Sequence, residues 1–103
     1  MRTRELQYGE VNSEGDLREI FVDIRGDVAS ADSRDELTRL YRRAEYLIAL
    51  TFAPAWQKKF GDRVEVLRRV AESEFAMVAR ATNQRAAEIG TAADYDEAWG
   101  PGR

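Results

Sequence analysis

The most regular hydrophobic spacing in the chain lies between residues 33 and 52. Ser33 and Glu36 have the spacing of a capping box, in which two side chains satisfy backbone N–H groups at the start of a helix. We therefore predict a helix that begins at Arg34 and ends or kinks before Pro54, because proline disfavours helical geometry in the preceding residue. Its inward face recurs at steps of three and four and consists of Leu37, Leu40, Tyr41, Ala44, Leu47, Ile48, Thr51 and Phe52.

A second and longer stripe begins after a short break. Pro54 is suited to the first position of a short helical turn through Phe60, and Gly61 to the C-terminal cap of that turn. Asp62 is a reasonable N-cap for the next helix, and Gly90 is expected to close it. The predicted inward stripe of this helix is Val64, Leu67, Ala71, Phe75, Val78, Thr82, Ala86 and Ile89.

The N-terminal third fits two patterns. Leu17, Ile20, Phe21, Ile24 and Val28 have helical spacing, whereas apolar side chains at 20, 22 and 24 also alternate as in a strand. In the second case, segments 6–11 and 17–25 would form a β-hairpin around the turn-like residues 12–16. We therefore expect a mainly α fold, an antiparallel helical hairpin or small helical bundle, whose N-terminal element is either a helix or a short β-hairpin.

Length and composition narrow the class of protein. A chain of 103 residues suits one domain, and we expect a single helical domain over 1–103 with flexible ends at 1–15 and 100–103. The chain has no cysteine and no histidine, so it lacks thiolate and imidazole groups for nucleophilic, general-base or metal-binding roles. Glu74 has no histidine to complete a dimetal site and is expected at the core edge. We therefore predict no enzyme activity, no cofactor and no metal site.

The chain also lacks the patterns of a secreted or membrane protein. The charged N-terminal residues are not followed by the apolar stretch of a signal peptide. The longest uncharged run, Tyr46 to Gln57, has 12 residues, and a membrane-spanning helix needs about 20. We expect a cytoplasmic protein that does not enter a membrane.

Two groups of apolar residues are candidates for binding another protein. Phe52, Trp56 and Phe60 bring three large aromatic side chains to the helix break, and such residues often anchor protein interfaces. They would equally serve to plug the end of a helical hairpin. A second apolar row beside the main stripe of the last helix suggests contact with more than one neighbour; it consists of Val66, Val70 and Met77. The leading prediction is a non-enzymatic protein-interaction or regulatory module that is a homo-oligomer or is bound to a partner protein.

Arginines on the two clear helices provide the alternative. The net charge is −3, but basic residues outnumber acidic ones in the middle of the chain. A basic helix face is able to contact phosphates, so nucleic-acid binding is the second hypothesis. Glutamates interspersed among these arginines make an ordinary solvated surface the competing interpretation. The arginines concerned are Arg39, Arg42, Arg43, Arg68 and Arg69.

Overall fold

The structure, a computed structural model, describes residues 11–90, and it confirms a mainly α fold in this part of the chain. Three long helices pack against one another, and no strand occurs within 11–90. A short helix and a 3₁₀ turn connect the second long helix to the third. The elements are α1 (Glu14–Ala29), α2 (Arg34–Leu50), α3 (Pro54–Phe60), the 3₁₀ turn Gly61–Arg63 and α4 (Val64–Glu88).

The N-terminal element is a helix, not a hairpin. Residues 12–16, which resemble a hairpin turn, instead start α1: the Ser13 hydroxyl accepts from the Asp16 backbone N–H at 3.2 Å. The Asp16 carboxylate in turn accepts from the Asn12 N–H at 2.9 Å. Val11, inside the stretch expected to be flexible, is fully buried. The other half of the alternative hairpin, before residue 11, lies outside the described residues, as do positions 91–103.

Helix α2 starts with the predicted cap, in a slightly different form. The Ser33 hydroxyl accepts from the Glu36 N–H at 3.2 Å, but the Glu36 carboxylate accepts from Asp32 N–H, one residue before the cap, at 3.3 Å. In both α1 and α2, the acidic side chain three residues after the cap serine accepts from the N–H of the residue before that serine. In a standard capping box it would accept from the N–H of the serine itself. Pro54 begins α3 as predicted, and Gly61 ends it with a φ of +58°, a region that favours glycine.

The start of the last helix differs from the prediction. Asp62 does not cap it; the residue lies within the 3₁₀ turn, and α4 begins at Val64 without a side-chain cap. The 3₁₀ turn leads directly into α4, and the backbone N–H of Val64 donates a hydrogen bond to the Gly61 carbonyl within this turn. The opposite end agrees with the sequence, because Gly90 follows α4 with a φ of +85°.

The contacts between helices fix their directions. Arg25 of α1 meets Glu74, and Ala31, just after α1, meets Arg85, so α1 and α4 run parallel. Tyr41 of α2 packs edge-on against Phe75, with ring centroids 5.1 Å apart, whereas Thr51 at the α2 C-terminus contacts Arg68 near the α4 N-terminus. Helix α2 is therefore antiparallel to both. The arrangement is an up-down-up bundle of three helices.

The core lies along the common axis of the three long helices. Its largest fully buried side chains include Phe21 and Leu17 of α1, Leu37 and Leu47 of α2, and Leu67 of α4. Burying each such side chain contributes roughly 1.5–3 kcal/mol to folding. No buried side-chain nitrogen or oxygen within 11–90 lacks a hydrogen-bond partner. No helix in this range is long and apolar enough to cross a membrane.

Candidate protein-interaction face on helices α1 and α4

The six residues proposed for protein interaction do not form one surface. Trp56, Phe60 and Val70 are buried, with 6%, 7% and 6% of their surface exposed. The Trp56 and Phe60 rings meet edge to face with centroids 5.4 Å apart. These two aromatic residues thus plug the end of the core, which is the second of the two roles that the sequence left open for them.

Phe52 is exposed, but it lies apart from the other exposed candidates. The Arg68 guanidinium stacks on the Phe52 ring, with 3.9 Å between the guanidinium carbon and the ring centroid. Arg68 and Val66 are two positions apart in α4. Residues at that spacing point to different sides of a helix, so Phe52 and Val66 do not share a face.

Val66 and Met77 remain exposed on one side of α4. They are eleven residues apart, which is three helical turns, and therefore lie in one row. Val22 of α1 is the exposed apolar side chain next to this row: it precedes Arg25 by one turn, and Arg25 Nη1 lies 3.9 Å from Met77 Sδ. We call the surface formed by Val22, Val66 and Met77 the α1–α4 face; their exposed fractions are 50%, 44% and 41%.

An ionic cluster lies along the seam between the two helices of this face. The carboxylate of Glu74, a residue only 7% exposed, accepts from Arg18 Nη1 at 3.3 Å and from Arg25 Nη1 at a shorter distance. Arg18 and Arg25 are seven residues apart and so share one side of α1. The buried carboxylate is paired on both oxygens, as a buried charge requires. The cluster fixes α1 against α4 and thereby sets the positions of Val22 and Met77 relative to each other.

Towards the C-terminal ends of α1 and α4 the seam opens into a groove of about 260 Å³. Small side chains on both helices create it, and the Arg85 guanidinium closes one side. Arg85 donates from Nε to the Ala31 carbonyl at 2.8 Å and from Nη1 to Glu88 at 3.0 Å. Because this guanidinium is already engaged within the chain, it is poorly placed to hold a ligand anion. The groove is lined by Val28, Ala29, Ala81, Gln84, Arg85 and Glu88.

The arginines proposed for nucleic-acid binding do not all point to solvent. Arg68 donates two hydrogen bonds to Thr51 and supports the helix break. Arg42 lies 3.7 Å from Glu45 on α2, and Arg43 is half-buried, whereas Arg39 and Arg69 are exposed. The five residues therefore do not present one continuous row of available guanidinium groups.

Comparisons with known proteins add no identification: no protein family, curated protein or solved structure matches this chain. Within residues 11–90, no group of three or more acidic residues is gathered in a way that could hold a metal ion.

Val22 and the seam cluster are the parts of the face that the sequence analysis missed. Val22 alternates with Ile20 and Ile24 in the strand alternative, whereas the helical alternative places it on the outward side of α1, away from the core. The seven-residue spacing of Arg18 and Arg25 was also present. Their partner, Glu74, lies 49 residues beyond Arg25, and no local pattern links them.

Proposed function

We propose that this chain is a non-enzymatic helical module that binds protein through the α1–α4 face. The observation that carries the proposal is that Val22, Val66 and Met77, three of the large apolar side chains left exposed within 11–90, lie on one side of two rigidly joined helices. Scattered apolar residues are normal on a surface, but several on one face favour an interface. Methionine is common in such surfaces because its side chain adapts to a partner.

The composition supports the non-enzymatic part of the proposal. The chain has neither histidine nor cysteine, and the buried charged residue Glu74 is neutralised by arginine instead of facing a cavity. A carboxylate held in this way is suited to fixing two helices and is poorly placed for proton transfer. Nucleic-acid binding has less support, because Arg68, one of its five candidate residues, is used to hold Thr51.

The proposal is tested with a variant in which the face is made acidic. Val22→Glu and Met77→Glu together place charges where an apolar partner surface would pack, while both side chains are already open to water. The matched control is Tyr46→Glu, which changes an exposed large side chain on α2 (51% exposed). Both variants should keep the helical circular dichroism spectrum of the wild type.

The measurement is affinity capture from the native cell, quantified by mass spectrometry, together with the solution mass of each purified protein. We expect the wild type and the Tyr46 variant to retain the same associated proteins, counting further copies of the chain itself, and the double variant to lose them. Equal recovery by all three proteins would show that the α1–α4 face is not the binding surface.

A further inference from the structure

The α1 side of the face ends in an acidic edge. Arg18 and Arg25 mark the seam with α4. Around the axis of α1, in the direction away from that seam, Val22 comes first and is followed by Glu19 and Asp23. The outer border of the face on this helix is therefore formed by two carboxylates.

The α4 side of the face ends in a basic edge. Starting from Glu74 at the seam, the positions lead round α4 to Met77 and Val66, and then to Arg80 and Arg69. Each arginine follows one of the two apolar residues by three positions, so the two rows run side by side. The face thus carries opposite charges on its two long edges. Between the edges lie the apolar side chains and, at the seam, the Arg18–Glu74–Arg25 cluster.

These edge charges are available for an external partner. None of Glu19, Asp23, Arg69 and Arg80 forms an ion pair or hydrogen bond through its side chain with another residue of the described range 11–90. Arg69, Arg80 and Glu19 are exposed, and Asp23 is half-buried. Exposed charges of this kind contribute little to the stability of a single copy, so their arrangement is free to serve recognition.

We infer that the protein bound by this face is a second copy of the chain, related to the first by a two-fold axis parallel to α1 and α4. This inference rests on the proposed function and identifies its partner. A two-fold axis in that direction lays α1 of each copy over α4 of the other, so the acidic edge meets the basic edge twice. An axis perpendicular to the helices would lay α1 on α1 and bring like charges together.

Gly26 supports a close approach of two copies. It lies in the last turn of α1, exposed on the side away from the core and one turn after Val22, and a Cβ added there would meet nothing within 4 Å. A glycine inside a helix lowers stability by about 1 kcal/mol relative to alanine and is unexplained by the packing of one copy. The absence of a side chain lets a neighbouring helix come nearer to the α1 backbone.

The area of the face indicates how strongly two copies of the chain should associate. Helix α1 has 16 residues and is therefore about 24 Å long, and two adjacent helices are about 20 Å wide. The face thus covers roughly 500 Å² in projection, below the ~800 Å² that each partner buries in a standard interface. We expect a weak dimer whose population rises with protein concentration and falls as salt screens the edge charges.

The test uses two variants of the full chain with one edge reversed in each. One carries Glu19→Arg and Asp23→Arg, and the other carries Arg69→Glu and Arg80→Glu. Each variant alone would face like charges at both edges of a dimer. An equimolar mixture restores opposite charges at both edges, because the isologous arrangement pairs α1 of one variant with α4 of the other.

Sedimentation equilibrium over a wide concentration range and native mass spectrometry give the result. The wild type should approach twice 11.7 kDa, each variant alone should stay at the monomer mass, and the mixture should form a dimer with one copy of each variant. Unfolding curves measured on each variant verify the fold. A monomeric wild type, a mixture that stays monomeric, or variants that dimerise alone would overturn the inference.

These outcomes are separable from failure of the proposed function. One outcome is that the purified wild type is monomeric and that the Val22→Glu/Met77→Glu variant loses proteins that the wild type captures. The face would then bind protein, but its partner would not be a second copy of the chain. If capture and solution mass are both unaffected by that double change, the face itself is not an interaction surface.

Discussion

Arg68 donates from Nη2 to the Thr51 carbonyl at 2.9 Å and from Nε to the Thr51 hydroxyl at 3.2 Å. This pair joins the C-terminus of α2 to α4 at the point where the chain turns into α3. The last carbonyls of a helix lack intrahelical partners, and a cationic donor there also opposes the negative end of the helix dipole. Arg68 therefore acts as a C-terminal cap supplied by another helix.

Replacing Arg68 with alanine should lower the free energy of unfolding by about 1–2 kcal/mol, because a part-buried hydrogen bond to a charged group is lost. The measurement is urea unfolding followed by circular dichroism. Arg69→Ala is the control: the neighbouring arginine is exposed and makes no such contact, so its removal should change stability by less than about 0.5 kcal/mol. Equal losses for both variants would contradict the role of Arg68 as a cap.

The seam between α1 and α4 supports a second prediction. Glu74→Gln removes the charge that Arg18 and Arg25 share and should lower stability by about 1–2 kcal/mol. This is less than the roughly 3–5 kcal/mol for breaking a fully buried pair, since the Arg18 side chain is 51% exposed and remains solvated. Glu72→Gln, on the exposed side of the same helix, serves as the control. A change at 74 no larger than that at 72 would show that the seam cluster does not hold the helices together.

The sequence contained much of the fold because the elements are specified locally. Ser33 caps α2 through a backbone N–H three residues away, as its spacing from Glu36 predicts, and Pro54 and Gly61 act through their own dihedral preferences. The prediction that Asp62 caps α4 was wrong because an aspartate suits both an N-cap and a 3₁₀ turn, and the local sequence does not distinguish the two. The positive φ of Gly61 leads directly into the 3₁₀ turn, so α4 starts at Val64, one residue later than a cap at Asp62 predicts.

The site was harder to predict because it depends on contacts distant in sequence. Trp56 and Phe60 have the composition of an interface anchor, and only the position of α4 decides that they are covered. Val22 becomes part of a surface only when α1 and α4 run parallel, and that direction follows from two long-range contacts, Arg25 with Glu74 and Ala31 with Arg85. Apolar periodicity identifies the side of each helix that faces the core. It does not show which exposed residues of one helix lie next to which exposed residues of another.

Two glycines should respond in opposite ways to alanine. Gly26→Ala places a methyl group in open space within a helix and should raise stability by about 0.5–1 kcal/mol. Gly61→Ala puts a side chain at a φ of +58° and should lower stability by roughly 1 kcal/mol. Thermal unfolding monitored by circular dichroism distinguishes the two. Changes of the same sign would contradict the conformational argument.

Alanine substitutions of two aromatic residues at the helix break should differ in their effect on stability, because Trp56 is buried and Phe52 is exposed. Trp56→Ala removes a side chain that packs against Phe60 in the core and should lower stability by about 3–5 kcal/mol, enough to unfold a marginal domain. Phe52→Ala loses only an exposed ring under Arg68 and should lower stability by about 1 kcal/mol at most. Denaturant unfolding gives both values, and a larger loss at 52 than at 56 would contradict the packing.

Binding to nucleic acid is the experiment that separates the two functional hypotheses. A protein that contacts several phosphates through arginine binds strongly at low salt, and its affinity falls steeply as salt rises. The ion pair of Arg42 with Glu45 and the hydrogen bonds of Arg68 to Thr51 argue against such contacts. We therefore expect no saturable, salt-dependent shift in the anisotropy of labelled duplex DNA or single-stranded RNA at low ionic strength. A shift that is abolished by changing Arg39, Arg42 and Arg69 together to glutamine would favour nucleic-acid binding and place it on the outer surfaces of α2 and α4, away from the seam.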